Sequence, residues 1–357
     1  MIKVLMCGPL SIAGGVSVHT KNISKALSNE GIEIFLYDTS CKYKDLALGC
    51  DILKIYNRTF GLIFNAIKLR HEYDVLHVQA SGGIFSFISA LSGTFVSKLC
   101  DKRLFVTFHY RASKKFLLKY RQILAYVLKN STGFFVVSEK QKELIQEILL
   151  LSDNIRVIPN GFDKSQFYKS DKFACRRELG LPTNRKILLS IGNLIEEKGH
   201  KYLIEAIKEV LKYRQDIFCV IVGKGRLKEK LNAQIKDENL EQYFELVGVK
   251  PHEEIPKWIN ACDIVVVPSI VESFGIVQIE AMACGKPVVA TYNGGSENIL
   301  ISEDYGILCK SADSHDLAKN IVAALNIKFD EDTIIHYSRS FSWDVISREI
   351  LNAYKKV

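Results

Sequence analysis

Two carboxylates, Glu272 and Glu280, stand with seven residues between them in V-V-V-P-S-I-V-E-S-F-G-I-V-Q-I-E, residues 265–280. Val265, Val266 and Val267 read as a buried strand stopped at Pro268, where a ladder donor is missing. A loop follows, and from Gly275 the pattern turns helical. Ile276, Ile279, Met282 and Ala283 fall on one side, and Gly285-Lys286-Pro287 closes the helix in the order Gly then Pro. The first amides of such a helix, near Phe274, Gly275 and Ile276, have no intrahelical acceptor and carry the positive end of the macrodipole, which suits phosphate or sugar oxygens. A helical side chain leans toward its N-terminus, so Glu280 can turn back to the same ligand that Glu272 meets from the loop. Carboxylates accepting hydroxyls on either side of a diphosphate would hold a nucleotide sugar. The plainer alternative has one Glu capping the helix and the other in water.

Other residues could share that chemistry. Lys198, in S-I-G-N-L-I-E-E-K-G-H, sits at the entry of a helix expected from Gly199 to about Tyr213, placed to neutralise an anion at its N-terminus. His109, in F-V-T-F-H-Y, comes at the exit of a strand counted as the fifth, whereas His77, inside the apolar strand D-V-L-H-V-Q, reads as a hydrogen-bonded core histidine. The loop G-P-L-S-I-A-G-G-V-S puts Gly14 and Gly15 before a helix running to about Ser28. It is not G-x-G-x-x-G and only Asp38 could serve a ribose, so nicotinamide binding is a weak reading, while backbone contact with a phosphate suits the pair. G-K-G-R-L-K lacks the spacing of a P-loop. Asp330-Glu331-Asp332 spells D-x-D but reads as a solvated turn, and no H-E-x-x-H or Cys/His cluster offers metal ligands.

The elements that must position these residues follow from length and periodicity. At 357 residues, 48% of them hydrophobic, the chain is too long for one ordinary core and fits two domains. Apolar strands expected at 2–6, 33–37, 75–78, 104–108, 134–137 and 156–158 alternate with amphipathic helices, the pattern of a parallel sheet covered on both faces. Ligands of such sheets bind beyond the carboxyl ends of the strands. Asn160-Gly161 marks a turn, residues 164–186 read as a linker with a short helix near 174–179, and strand–glycine–helix units then resume.

Nine scattered cysteines without a C-x-x-C pair point to a reduced, cytosolic protein. Residues 1–10 read as a first strand and not a signal peptide, and no apolar run is long enough to span a membrane. Residues 1–165 hold 22 Lys and Arg against 13 Asp and Glu, while 166–357 hold 26 against 27. The basic excess lies in the first half, where it suggests an anionic partner, a membrane surface or an acidic acceptor. The segment 113–129 concentrates it. As one helix, it would bury Phe116, Leu117, Tyr120, Ile123, Leu124, Val127 and Leu128, and present Lys114, Lys115, Lys119, Arg121 and Lys129 with Leu118 and Tyr126 outward.

E-S-F-G-I-V-Q-I-E-A-M-A-C-G-K-P-V-V-A resembles the E-x7-E donor motif of the retaining glycosyltransferases of family four. The resemblance implies an α/β GT-B architecture: two Rossmann-like domains facing each other across a cleft, with a C-terminal helix returning to the N-terminal domain. The expected divisions are 1–165 on the acceptor side, 166–340 binding the donor, and 341–357 as the returning helix. By the same resemblance Glu272 lies by the sugar and Glu280 by the ribose, Lys198 grips the diphosphate, and His109 positions the transferred sugar. Gly15 faces the diphosphate, the turn around Val249 meets the base through its backbone, and Phe274, Gly275 and Ile276 offer amides. Gly294 and Gly295 before Glu297 resemble a loop beside the donor, with a capped helix start as the alternative. Asn193 stands where the family carries Arg, and an amide supplies neither that charge nor that fork.

The implied function is retaining, metal-independent transfer from a nucleoside-diphosphate sugar, UDP-sugar over GDP-sugar, to a glycan or lipid-linked acceptor of cell-surface polysaccharide or glycolipid. No cofactor and no nucleic acid are expected, and the expected location is cytoplasmic, peripheral on the inner face of the membrane. The competing reading is an inactive relative that binds sugar nucleotides as an accessory subunit.

Overall fold

The computed structural model describes every residue except 12–14, 41–46, 82, 110–112, 151–153 and 357, with backbone alone for 47–51. The chain forms two compact units, Met1–Gly161 with Trp343–Val357, and Phe162–Ser342.

The first unit is built on β1 (Lys3–Gly8), β2 (Glu33–Asp38), β3 (Val75–Ala80), β4 (Arg103–Phe108), β5 (Gly133–Val136) and β6 (Ile155–Val157). All pairs are parallel, in the order β2-β1-β3-β4-β5-β6. All six expected strands are present, with ends moved by one or two residues. His109 follows the fourth strand and not the fifth. Alternate side chains serve two cores: Leu5 and Cys7 pack with Leu76, Val78, Leu104 and Val106 on one face, Val4 and Met6 with Phe105 and Phe135 on the other. The second face is closed by helix Gly15–Asn29 and by the terminal helix Trp343–Lys355, which buries Trp343, Ile346, Ile350, Ala353 and Tyr354 there.

The expected single helix over 113–129 is two: Lys114–Lys119, capped by the Ser113 hydroxyl, and Arg121–Lys129. Tyr120 leaves helical geometry at φ −110 and ψ 19, its ring packed on Phe116 and Phe87. Aromatic packing in the core thus overrides a continuous helical pattern. The faces are as the periodicity gave them, with Leu117, Leu124, Val127 and Leu128 buried and the basic residues exposed.

The second unit holds β7 (Lys186–Ile191), β8 (Ile217–Val222), β9 (Phe244–Gly248), β10 (Ile264–Val267), β11 (Val288–Thr291) and β12 (Gly306–Cys309). They pair in parallel as β12-β11-β10-β7-β8-β9. The chain proceeds from β7 outward through β8 and β9, then returns to β10 on the other side. Between β7 and β10 the winding reverses, and there the loops leaving the two strands diverge and open a crevice. The leading helix Lys172–Leu179 is tied to this sheet by buried Arg176. Its guanidinium donates to the carbonyls of Ala261 (2.8 Å) and Arg185 (3.0 Å) and to Asp263 Oδ2 (2.6 Å). Asp263 also accepts the Ile187 amide, at 2.7 Å.

Candidate functional site

The reversal between β7 and β10 decides which residues meet in the second unit. The loop leaving β7 carries Asn193 and, in a short 3-10 turn, Lys198; the loop leaving β10 carries Glu272. Neighbouring parallel strands bring their carboxyl ends together, so Lys198 Nζ forms an ion pair with Glu272 Oε1 across 74 residues of sequence. Ser269 Oγ donates to the same oxygen at 2.9 Å, and the Glu272 amide donates to the Asn293 carbonyl at 3.1 Å. Gly199, at φ +65, allows this approach, since a Cβ there would collide with the Pro268 carbonyl.

Helix Ile276–Ala283 begins beside the pair, with Gly275 as N-cap at φ +101. No described residue accepts from the amides of Gly275 or Ile276. Phe274 itself is core, packed on Phe341, so only its backbone is available to a ligand. Glu280 lies one turn in and is buried, with Oε1 3.0 Å from His252 Nε2. Burial pushes its carboxyl up against the opposing pull of His252, and the bond to Glu280 raises the imidazole of His252. His252 follows the turn of Gly248 and Val249, whose Val249 side chain is exposed. Asn193 is exposed, with no side-chain hydrogen bond among the described residues.

The loop after β11 is internally ordered. Glu297 accepts the amides of Gly294 (2.8 Å) and Asn293 (3.3 Å), and Asn293 Oδ1 accepts those of Gly295 and Ser296. Only a 3-10 turn, Ser296–Asn298, follows, so the capped α-helix start is not formed. Gly295 lies so close to the Phe274 backbone that a Cβ would meet its amide nitrogen at 2.8 Å. Asp330-Glu331-Asp332 is solvated at both Asp residues as expected, but it is a helix start and not a turn: Asp330 caps helix Glu331–Ser338 and Glu331 pairs with Lys169 at 2.8 Å. Among the described residues no three His, Cys, Asp or Glu side chains are grouped to hold a metal.

In the first unit His109 lies just past β4, buried, its amide on the Ala80 carbonyl and its Nε2 2.7 Å from Gln79 Oε1. His19, on helix Gly15–Asn29, stands edge-on to it at 4.5 Å. Burial lowers His19 to about 4 and His77 to about 3, and pulls His109 well down with help from its two neighbours, so all three rings are neutral near pH 7. His77 is the core histidine the sequence suggested, between Tyr354 and Thr107. Gly15 opens its helix at the surface, and Gly14 lies outside the described residues. Asp38 holds its own loop, accepting the amides of Leu10 and Ser40 at 2.9 Å. Sequence reasoning misses His19 and His252, and reaches Gln79 only as the start of a loop at a strand end. His19 follows the glycine pair by four residues and Gln79 follows His77 by two, spacings that point each toward the same strand ends.

Residues 171–341 match the family model described as Glycosyl transferases group 1, and residues 13–166 the one described as Glycosyltransferase Family 4. The chain belongs to the group 1 and family 4 glycosyltransferases. This glycosyltransferase is 26% identical to an uncharacterized glycosyltransferase of Methanocaldococcus jannaschii, with 96% of this chain and 95% of that one covered. It is 26% identical to a D-inositol 3-phosphate glycosyltransferase of Corynebacterium aurimucosum, covering 96% and 91%. Among solved structures it is similar to HepE of Anabaena in complex with UDP-glucose, with a TM-score of 0.76, 21% identity and all of both chains covered. The glycosyltransferase has the GT-B fold, and no helix of the described residues is long and apolar enough to cross a membrane.

Proposed function

We propose that this glycosyltransferase takes a sugar from a nucleoside-diphosphate sugar, a UDP-sugar in preference to a GDP-sugar, and transfers it with retention to a hydroxyl of a glycan or lipid-linked acceptor in cell-surface polysaccharide or glycolipid synthesis. The observation that carries the reading is the Lys198–Glu272 pair set at the strand reversal beside the unpartnered amides of Gly275 and Ile276. As the anomeric C–O bond breaks, negative charge grows on the diphosphate, and Lys198 with those amides stabilises it where it develops. These groups supply the positive charge that a divalent ion would otherwise bring, so the reaction is proposed to be metal-independent. Glu280 accepts from a ribose hydroxyl, Glu272 holds the sugar, the turn of Val249 borders the base, and Gly15 and His109 serve from the first unit. The UDP-glucose bound by HepE supports the choice of base and diphosphate.

The acceptor side is supported by a different feature. Helices Leu62–Lys68, Ile84–Cys100, Lys114–Lys119 and Arg121–Lys129 together carry seven Lys and Arg and no Asp or Glu. Phe64, Phe95, Leu99, Leu118 and Tyr126 are exposed on them. A basic surface with apolar tips fits anionic lipid headgroups, and the proposed location is cytoplasmic, peripheral at the inner membrane face.

The test is a thermal-shift screen of UDP-, GDP- and ADP-sugars, followed by product analysis at the anomeric carbon. Stabilisation by a UDP-sugar and transfer with retention is the expected result; an inverted product or absence of any nucleotide-sugar binding overturns the reading. Asn193 in place of Arg favours one alternative, an accessory subunit, for which nucleotide would bind with neither transfer nor hydrolysis.

A further inference from the structure

A buried chain of hydrogen bonds inside the first unit ends at His109, and its polarity can be worked out link by link. The Gln79 amide nitrogen lies 3.1 Å from Met6 Sδ and 3.3 Å from His77 Nε2. A thioether has no proton to give, so that end of the amide must be the NH2. The other end, Oε1, is then the atom 2.7 Å from His109 Nε2. A carbonyl oxygen has no proton either, so Nε2 of His109 must donate.

His77 sits beside this amide, with Nε2 2.7 Å from Thr107 Oγ1 and Nδ1 2.5 Å from the Tyr354 hydroxyl. Both hydroxyls can donate or accept, so the orientation of Gln79 rests on Met6 and not on the tautomer of His77. Both ends of the Gln79 amide are occupied, which prevents it from turning over to offer NH2 to His109. With a neutral ring, His109 carries its lone pair on Nδ1. No described residue donates to that nitrogen; His19 meets the ring by its edge, and Trp343 stands 5.0 Å beyond His19. His109 also lies at the carboxyl end of β4, the side of a doubly wound sheet on which ligands sit.

We propose that Gln79 is the positioning residue that fixes the tautomer of His109, so that Nδ1 is presented as a hydrogen-bond acceptor for a hydroxyl of the transferred sugar or of the acceptor. That a hydroxyl is what arrives rests on the transferase reading above; the tautomer does not. Glutamine suits the task where relatives in chemistry do not. A carboxylate at this position would draw a second proton onto the ring and leave it only donors, and an aliphatic side chain would leave either nitrogen free to hold the proton.

The experiment uses the full chain labelled with 15N-histidine and long-range 1H–15N correlation spectra near pH 7, with His109 assigned through His109→Gln. The expected wild-type ring has a protonated Nε2 and an unprotonated Nδ1. Gln79→Leu should shift the ring to a mixture or to the Nδ1–H form, and the isosteric Gln79→Glu should produce the doubly protonated ring. In both variants kcat should fall by about tenfold or more while the donor KM stays within about twofold, since an acceptor of the wrong polarity affects the reaction more than nucleotide binding. An Nδ1-protonated ring in the wild-type protein overturns the proposal, as does an unchanged tautomer in Gln79→Leu. A changed tautomer with unchanged turnover overturns its part in the reaction. Absence of any sugar transfer by the wild-type protein is instead the failure of the transferase reading, and is separable because the spectra need no substrate.

Discussion

Replacing Glu280 tests the donor site most directly, because the structure divides its carboxylate into two halves. Oε1 is engaged by His252 at 3.0 Å, and no described residue partners Oε2. In the proposed function Oε2 is the atom that accepts a ribose hydroxyl. A hydrogen bond to a charged group contributes about 1.5–3 kcal/mol, so Glu280→Ala should raise the Kd for UDP by roughly 10- to 150-fold at about 1.4 kcal/mol per tenfold. Stability should move far less. The His252 side chain is 42% exposed, which limits such a pair to about 1 kcal/mol or less, and removing a buried carboxylate also relieves its desolvation. Because His252 is held above its ordinary 6.5, the stability it draws from the pair is whole below that pH and is lost as pH rises through the raised value. Native protein and Glu280→Gln should therefore converge in Tm as the solution is made more alkaline. Titration calorimetry with UDP and unfolding scans give both quantities. UDP affinity within about twofold of native, together with a lowered Tm, would refute the assignment and leave Glu280 as an anchor for the His252 turn.

Glu272→Gln should lower kcat while leaving UDP binding equal or several-fold tighter, since Lys198 no longer has an internal counterion for the diphosphate to displace; weaker UDP binding in steady titrations counts against the pairing argument. Transfer should persist in excess EDTA, and full loss restored by Mg²⁺ or Mn²⁺ would reject metal independence. Co-sedimentation should fall with salt on anionic vesicles and drop for Lys119→Glu with Lys129→Glu, each site contributing about 1 kcal/mol near the bilayer; Lys114 is a poorer choice because it is paired with Glu147. Equal, salt-insensitive sedimentation of both proteins would discard the lipid contact. Arg176→Leu should cost about 1–3 kcal/mol, because the Ala261 and Arg185 carbonyls lose their donor while Lys172 still pairs with Asp263 at 3.0 Å; denaturant unfolding measures it, and no loss of stability would contradict the anchoring role.

The local elements were legible in the residues because they are set by short-range periodicity. Alternation and apolar runs marked all six strands of the first unit, and Pro268, Gly275 and Gly285 marked the ends of the strand and helix that carry Glu272 and Glu280. The two faces of 113–129 followed from the 3.6-residue repeat, but the break at Tyr120 did not, since the Phe87 ring that Tyr120 packs on lies on another helix. D-x-D was legible as polar, yet only the following helix makes Asp330 a cap. Sheet order is the clearest case of what sequence withholds. Nothing near residue 198 or 272 states that β7 and β10 are neighbours; pairing across that distance is chosen by the burial of whole faces, and it alone sets Lys198 against Glu272. His252 reaches Glu280, and Gln79 reaches His109, for the same reason: each contact joins the ends of elements whose adjacency is a property of the packed sheet and not of any stretch of chain.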